Sequence, residues 1–154
     1  MHKIFLEEAY KEAIKALQEQ EVPVGCVIVQ NKQILSRSHN LTNKLHDPLA
    51  HAEINGLREL LQQSQITDDL TFYITCEPCI MCLGILNRIK ARIYYGCKNI
   101  IFGGITILET PSDSHFIEDK RCYEILQKFY SNENEFAPEE KRKKKNNRNN
   151  GVPL

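Results

Sequence analysis

Between Ile4 and Gln20, apolar side chains recur at helical spacing, at Ile4, Phe5, Leu6, Ala9, Tyr10, Ala13, Ile14, Ala16 and Leu17. This pattern predicts an amphipathic helix, ended at Glu21-Val22-Pro23 because proline cannot continue the hydrogen-bond ladder. "VGCVIVQ", Val24 to Gln30, is nearly all apolar and β-branched, as expected of an inner strand. Asn31-Lys32 turns the chain, and "QILSRSHN" returns as its hairpin partner. A second helix is expected from Ala50 to Leu61, with Ile54, Leu57 and Leu61 inward. "TFYIT" from Thr71 reads as a third strand, Cys79 to Arg88 as a third helix and "ARIYYGC" as a fourth strand. A short fifth strand is expected at "HFI" around Ile117. The last helix, Arg121 to Tyr130, carries Cys122, Ile125, Leu126 and Phe129 on one face. Strands alternating with helices imply an α/β domain with parallel pairs in one sheet, joined by right-handed crossovers.

The length of 154 residues suits one domain with its own core. The boundaries expected are 1–138 for that domain and 139–154 for a basic tail, whose "KRKKKNNRNN" lacks apolar residues and predicts disorder in isolation. The formal net charge is zero, but the tail holds six Lys or Arg against two Glu, leaving 14 basic and 18 acidic residues elsewhere. No run is apolar enough for a bilayer span and no signal-peptide pattern opens the chain, so a cytoplasmic or nuclear location is expected. Six cysteines would suggest disulfides in a secreted domain. Here Cys26, Cys76, Cys97 and Cys122 sit among apolar neighbours and read as buried thiols. His2, His46 and His115 read as surface or structural.

Cys79 and Cys82 form a Cys-x-x-Cys directly after Pro78. One helical turn apart at a helix start, both sulfurs face one side, where the helix dipole favours thiolates. His51 opens another helix, and two helices starting at one sheet edge bring the three side chains together. Two sulfurs and an imidazole suit zinc, and three protein ligands leave a position for water, as in catalytic sites. Two thiolates neutralise the ion, so its water needs a base, and Glu53 is placed to take that proton and pass it to substrate and leaving group.

His-x-Glu followed by Pro-Cys-x-x-Cys is the pattern of zinc nucleobase deaminases. "EVPVGCVIV", His39-Asn40, "DPLAHAEI", "FYITCEPCIMC" and "RIYYGC" together resemble the tRNA adenosine deaminases that make inosine at the wobble position, 34. "YGCKN…FGG" and the ending "LQKFYSNENEFAPEEKRKKK" resemble the catalytic subunit of the eukaryotic heterodimeric enzyme in particular. The resemblance implies a cytidine deaminase-like three-layer α/β/α fold, a mixed sheet of about five strands with helices on both faces. It implies zinc held by His51, Cys79 and Cys82, with Glu53 as proton shuttle. It further implies that Asn40 touches the target nucleoside, Val24 lines its pocket, Pro78 belongs with the substrate-binding residues, and the Ala52 and Cys79 backbone faces the reacting centre.

The partners implied are tRNA and a related non-catalytic subunit, with a homodimer as second choice. That partner lacks the acid of His-x-Glu, which this chain keeps. Lys141, Arg142, Lys143, Lys144, Lys145 and Arg148 are expected to meet RNA phosphates, a solubilising tail or nuclear import signal being the other readings. The family's usual Asn-Glu-Arg-Phe before "GG" is here Asn99-Ile100-Ile101-Phe102, which leaves a subunit contact or local ion pair open. Cys76 stands where guanine deaminases also carry cysteine, though a packed core thiol is the simpler reading. The rival functions are a cytosine or guanine deaminase with the same zinc machinery and a non-enzymatic, zinc-stabilised interaction subunit.

Overall fold

A computed structural model of the chain describes residues 1–63 and 68–132. The elements run α1 (His2–Gln18), β1 (Gly25–Gln30), β2 (Gln33–His39), α2 (Thr42–Leu45), α3 (Ala52–Gln62), β3 (Thr71–Cys76), α4 (Ile80–Arg88), β4 (Arg92–Cys97), β5 (Ser114–Phe116) and α5 (Lys120–Ser131). The strand order is β2-β1-β3-β4-β5. β1 is antiparallel to both β2 and β3, whereas β3–β4 and β4–β5 are parallel. The sheet is therefore mixed, as expected, and β1 is an inner strand. The tail, 139–154, and its basic residues lie outside the described residues.

Both faces of the sheet are covered, which explains the unbroken apolar run of β1. Alternate residues point to opposite sides. Cys26, Ile28, Phe72, Ile74 and Ile93 pack with Leu57 and Leu60 of α3 and Leu83 and Leu86 of α4. Val27, Val29 and Tyr73 meet Phe5 and Ala9 of α1. Cys76 and Cys97 meet Cys122 and Leu126 of α5. The four cysteines expected as core thiols are all free and buried. Gly25 lets α1 lie directly on the sheet, since a Cβ there would collide with the Ala9 carbonyl and the Ala13 amide.

Two details differ from the sequence expectation. On α3 the inward leucine is Leu60, fully buried, while Leu61 is 57% exposed. The buried stripe runs Glu53, Gly56, Leu57, Leu60, and Gly56 is pressed against the Ser36 and Ser38 hydroxyls of β2, which rotates Leu61 outward. The short α2 was not anticipated. It exists because the Glu21 carboxylate accepts the Asn43 and Lys44 amides at 3.1 and 2.6 Å, caps no local periodicity reveals.

Because β1 is antiparallel to β3, its Gly25 end lies at the same sheet edge as the last residues of β3 and β4. His39 pairs with Gly25, so the end of β2 arrives there too. The segments after β2, β3 and β4, and the starts of α3 and α4, all converge on this edge. Among the described residues, no helix is long and apolar enough to cross a membrane.

Helix α5 is tied to this edge by Asp119, whose amide donates to the Gly96 carbonyl at 2.9 Å. Its carboxylate caps the helix, accepting the Arg121 amide at 3.1 Å, and Arg121 also bonds Glu7 of α1 at 2.7 Å. The Arg121 hydrogen bond holds the Asp119 carboxyl below its usual range. A depressed folded value means stability that is present above the unfolded carboxylate range and lost as pH falls. Asp119→Ala is expected to cost about 1 kcal/mol at neutral pH. In urea titrations, the gap between variant and parent should close as pH is lowered from about 5 toward about 2.

Candidate metal and active site

His51 and Cys79 are the N-cap residues of α3 and α4, both in extended conformation, and Cys82 lies within the first turn of α4. The His51 Nδ1 lies 3.5 Å from the Cys79 sulfur and 3.5 Å from the Cys82 sulfur. The three ligand atoms fall within 4.8 Å of one another. A tetrahedral zinc with ordinary Zn–S and Zn–N bonds places such atoms about 3.6 Å apart. The donor set therefore fits the ion in both chemistry and spacing.

The electrostatics fit too. A hydrogen bond from Cys82, then one from His51, brings the Cys79 thiol down to about 4. The Cys82 thiol is pushed the other way, first by its bond to Cys79 and then by burial. Two thiolates this close together are favoured beside a cation. The Cys79 hydrogen bond also raises the His51 value.

Glu53 sits on the buried stripe of α3 at 4% exposure. Burial, then the nearby Cys79 charge, raises its carboxyl above the ordinary range. A carboxyl raised in this way takes up a proton more readily than an exposed glutamate does. The metal-ligand cluster comprises His51, Cys79 and Cys82.

These groups open onto a cavity of about 820 Å³. That lies within the range of small-ligand sites, roughly 300–1,000 Å³. Val24, Asn40, Ala52 and Cys79 line it together with His51 and Glu53. Pro78, expected among the substrate-binding residues, is buried and does not line the cavity. Its carbonyl instead accepts the Gly104 amide at 3.1 Å.

Sequence reasoning missed several lining residues: Thr42, Lys98, Phe102, Tyr123 and Tyr130. It also missed two buried carboxylates, Glu21 and Glu77, which hold the walls. Glu77 accepts the Asn99, Ile105 and Thr106 amides at 3.1, 3.0 and 2.6 Å and the Thr106 hydroxyl at 2.5 Å. Gly103 is needed there, because a Cβ would strike the Glu77 carboxylate and the Asn99 carbonyl. The Asn99–Thr106 loop is thus held from within, while Ile100 and Ile101 are 45% and 49% exposed. A Glu within the apolar runs "EVPVGCVIV" and "YITCEPC" was the available signal, since a charge placed so is buried only with partners.

Comparisons with known proteins agree with this geometry. Residues 1–97 match the family model described as the cytidine and deoxycytidylate deaminase zinc-binding region. The tRNA-specific adenosine deaminase 2 of Xenopus tropicalis is 31% identical, covering 92% of this chain and 95% of its own. The tRNA-specific adenosine deaminase of Streptococcus pyogenes serotype M1 is 34% identical, over 82% of this chain and 81% of that one. A solved structure from work on A-to-I editing by tRNA:A34 deaminases at the wobble position superposes with a TM-score of 0.73. It is 30% identical and covers 80% of this chain and 99% of that chain.

Cys79→Ala and Cys82→Ser should each abolish stoichiometric zinc, measured by elemental mass spectrometry after dialysis. The loss should exceed the roughly 10–100-fold drop that follows removal of an outer-sphere partner. Each variant should also melt below the parent, because metal binding is linked to folding.

Proposed function

Because this chain belongs to the tRNA adenosine deaminase family of the cytidine deaminase-like superfamily, we infer that it hydrolytically deaminates adenosine to inosine at position 34 of tRNA anticodons. The observation that carries this reading is the His51–Cys79–Cys82 cluster with buried Glu53 beside it on one cavity. His51, Cys79 and Cys82 would hold zinc, which would supply Lewis acidity toward a water. Glu53 takes the proton from the attacking water, delivers it to the purine ring nitrogen, and then protonates the departing amine. Water and adenosine become inosine and ammonia, and the carboxylate returns to its starting state. Val24 and Ala52 wall the base, and Asn40 meets the nucleoside. A base reaches such a cavity only when turned out of the loop, which a single-stranded anticodon allows at low cost.

The proposed assembly is a heterodimer with a related subunit that lacks the acid of His-x-Glu, with a second copy of this chain as the alternative. Exposed apolar side chains beside the cavity, Ile80, Ile100 and Ile101, support a protein contact there. A cytoplasmic or nuclear location follows from a tRNA substrate.

The decisive experiment measures inosine at position 34 in tRNA treated with the full chain, alone and reconstituted with its partner. Glu53→Gln should keep its zinc and lose about 10²–10⁴-fold in rate. Turnover of free cytosine or guanine with none of tRNA would reverse the assignment. An unchanged rate for Glu53→Gln would remove Glu53 from the reaction.

The tail residues Lys141, Arg142, Lys143, Lys144, Lys145 and Arg148 are proposed to contact phosphates without reading sequence. Truncation before Glu139 should weaken tRNA binding and flatten its dependence on salt, by up to about 0.7–0.9 in logarithmic slope per lost contact. A binding isotherm that keeps its salt slope after truncation removes the tail from the interface.

A further inference from the structure

Asn40 is 5% exposed and lines the cavity. Its side-chain nitrogen donates to Glu21 Oε2 at 3.0 Å and to Thr42 Oγ1 at 3.0 Å, which uses both hydrogens of the amide. Glu21 is fully buried, and its carboxylate also accepts the Asn43 and Lys44 amides. Both Glu21 oxygens accept from N–H donors, so turning the Asn40 amide over would set oxygen against oxygen. The orientation of an amide is often ambiguous, but here the partner decides it. The backbone is held as well, with the Asn40 amide on the Val24 carbonyl at 3.1 Å and the Leu41 amide on the Ala50 carbonyl at 2.9 Å. The Asn40 oxygen accepts no hydrogen bond among the described residues and is not among the buried polar atoms left without a partner, so it opens to the cavity.

We propose that Glu21 is a positioning residue that locks Asn40 with its carbonyl oxygen toward the cavity, where it accepts a hydrogen bond from the 2′-hydroxyl of the target nucleotide. This rests on the deaminase reading above. An adenosine within a polynucleotide has two kinds of hydrogen-bond donor, the exocyclic amine and the 2′-hydroxyl. The amine is the group that leaves, so it faces Glu53 and the metal ligands. The 2′-hydroxyl is what remains for a fixed acceptor, and it is the group by which a protein separates RNA from DNA. Asn40 is thereby a substrate contact that selects ribose, and Glu21 acts through it.

The test compares kcat/KM for anticodon stem-loops carrying adenosine or 2′-deoxyadenosine at the target position. The parent should prefer the ribose form by about tenfold, one good hydrogen bond. Glu21→Ala and Thr42→Val should lower the rate on the ribose substrate by a larger factor than on the deoxy substrate, so that the preference collapses toward one. A purely structural Glu21 would lower both rates by one factor and keep the preference, which overturns the proposal. Thr42→Val removes a single hydroxyl and carries the test if Glu21→Ala does not fold. Hydrogen exchange of the Asn40 side-chain amide, read by NMR on the zinc-loaded full chain, needs no turnover. Slow exchange is expected, and an amide exchanging as freely as an exposed one overturns the orientation. If the parent reconstituted with its partner makes no inosine on either stem-loop or on full tRNA, the functional reading fails, and amide exchange still decides how Asn40 points.

Discussion

The structure depends on two helices starting at one sheet edge with metal-ligating side chains at their first positions. An N-cap residue is extended while the next is helical, so its side chain projects from the helix end and not from its flank. His51 and Cys79 both hold that position, and Cys82 follows within one turn. The N-terminal ends of α3 and α4 carry partial positive charge, which suits the thiolate at Cys79. The antiparallel β1 contributes equally, because its start brings Val24 to the edge where β3 and β4 finish.

Three buried glutamates divide the work around this edge. Glu21 and Glu77 are paid for by hydrogen bonds from backbone amides and side chains, and each holds one loop of the cavity wall. Glu53 has two thiols and an imidazole as polar neighbours, and burial raises its carboxyl accordingly. The same residue type is satisfied where its donors are complete and shifted upward where burial dominates. That difference is one of surroundings, and the carboxyl itself is unchanged.

The departure at Ile100 and Ile101 also becomes intelligible. The loop that carries them is fastened by Glu77, Asn99 and Gly103, so residues 100 and 101 are free to vary in chemistry without loosening it. The Phe102 carbonyl accepts the Ile80 amide at 3.1 Å, which fixes the loop against the residue following a metal ligand. The two isoleucines themselves line the cavity, so what they set is the apolar character of that wall.

Most of the architecture was legible in the sequence, because periods of 3.6 and 2 report burial directly. The helix and strand order, the inner position of β1 and the buried thiols followed from those patterns, as did the metal ligands from their spacing. Leu60 in place of Leu61 was not legible, since the tilt of α3 is set by Gly56 against β2. Nor were α2, the withdrawal of Pro78 from the cavity, or the roles of Glu21 and Glu77. Each of these depends on groups about twenty or more positions apart in the chain, as Asn40 and Glu21 are nineteen apart and Thr106 and Glu77 twenty-nine. The sequence by itself determined which atoms are available for chemistry. Only the tertiary structure decided which of them are paired and which are left open to a substrate, because a hydrogen bond depends on where its partner lies in space.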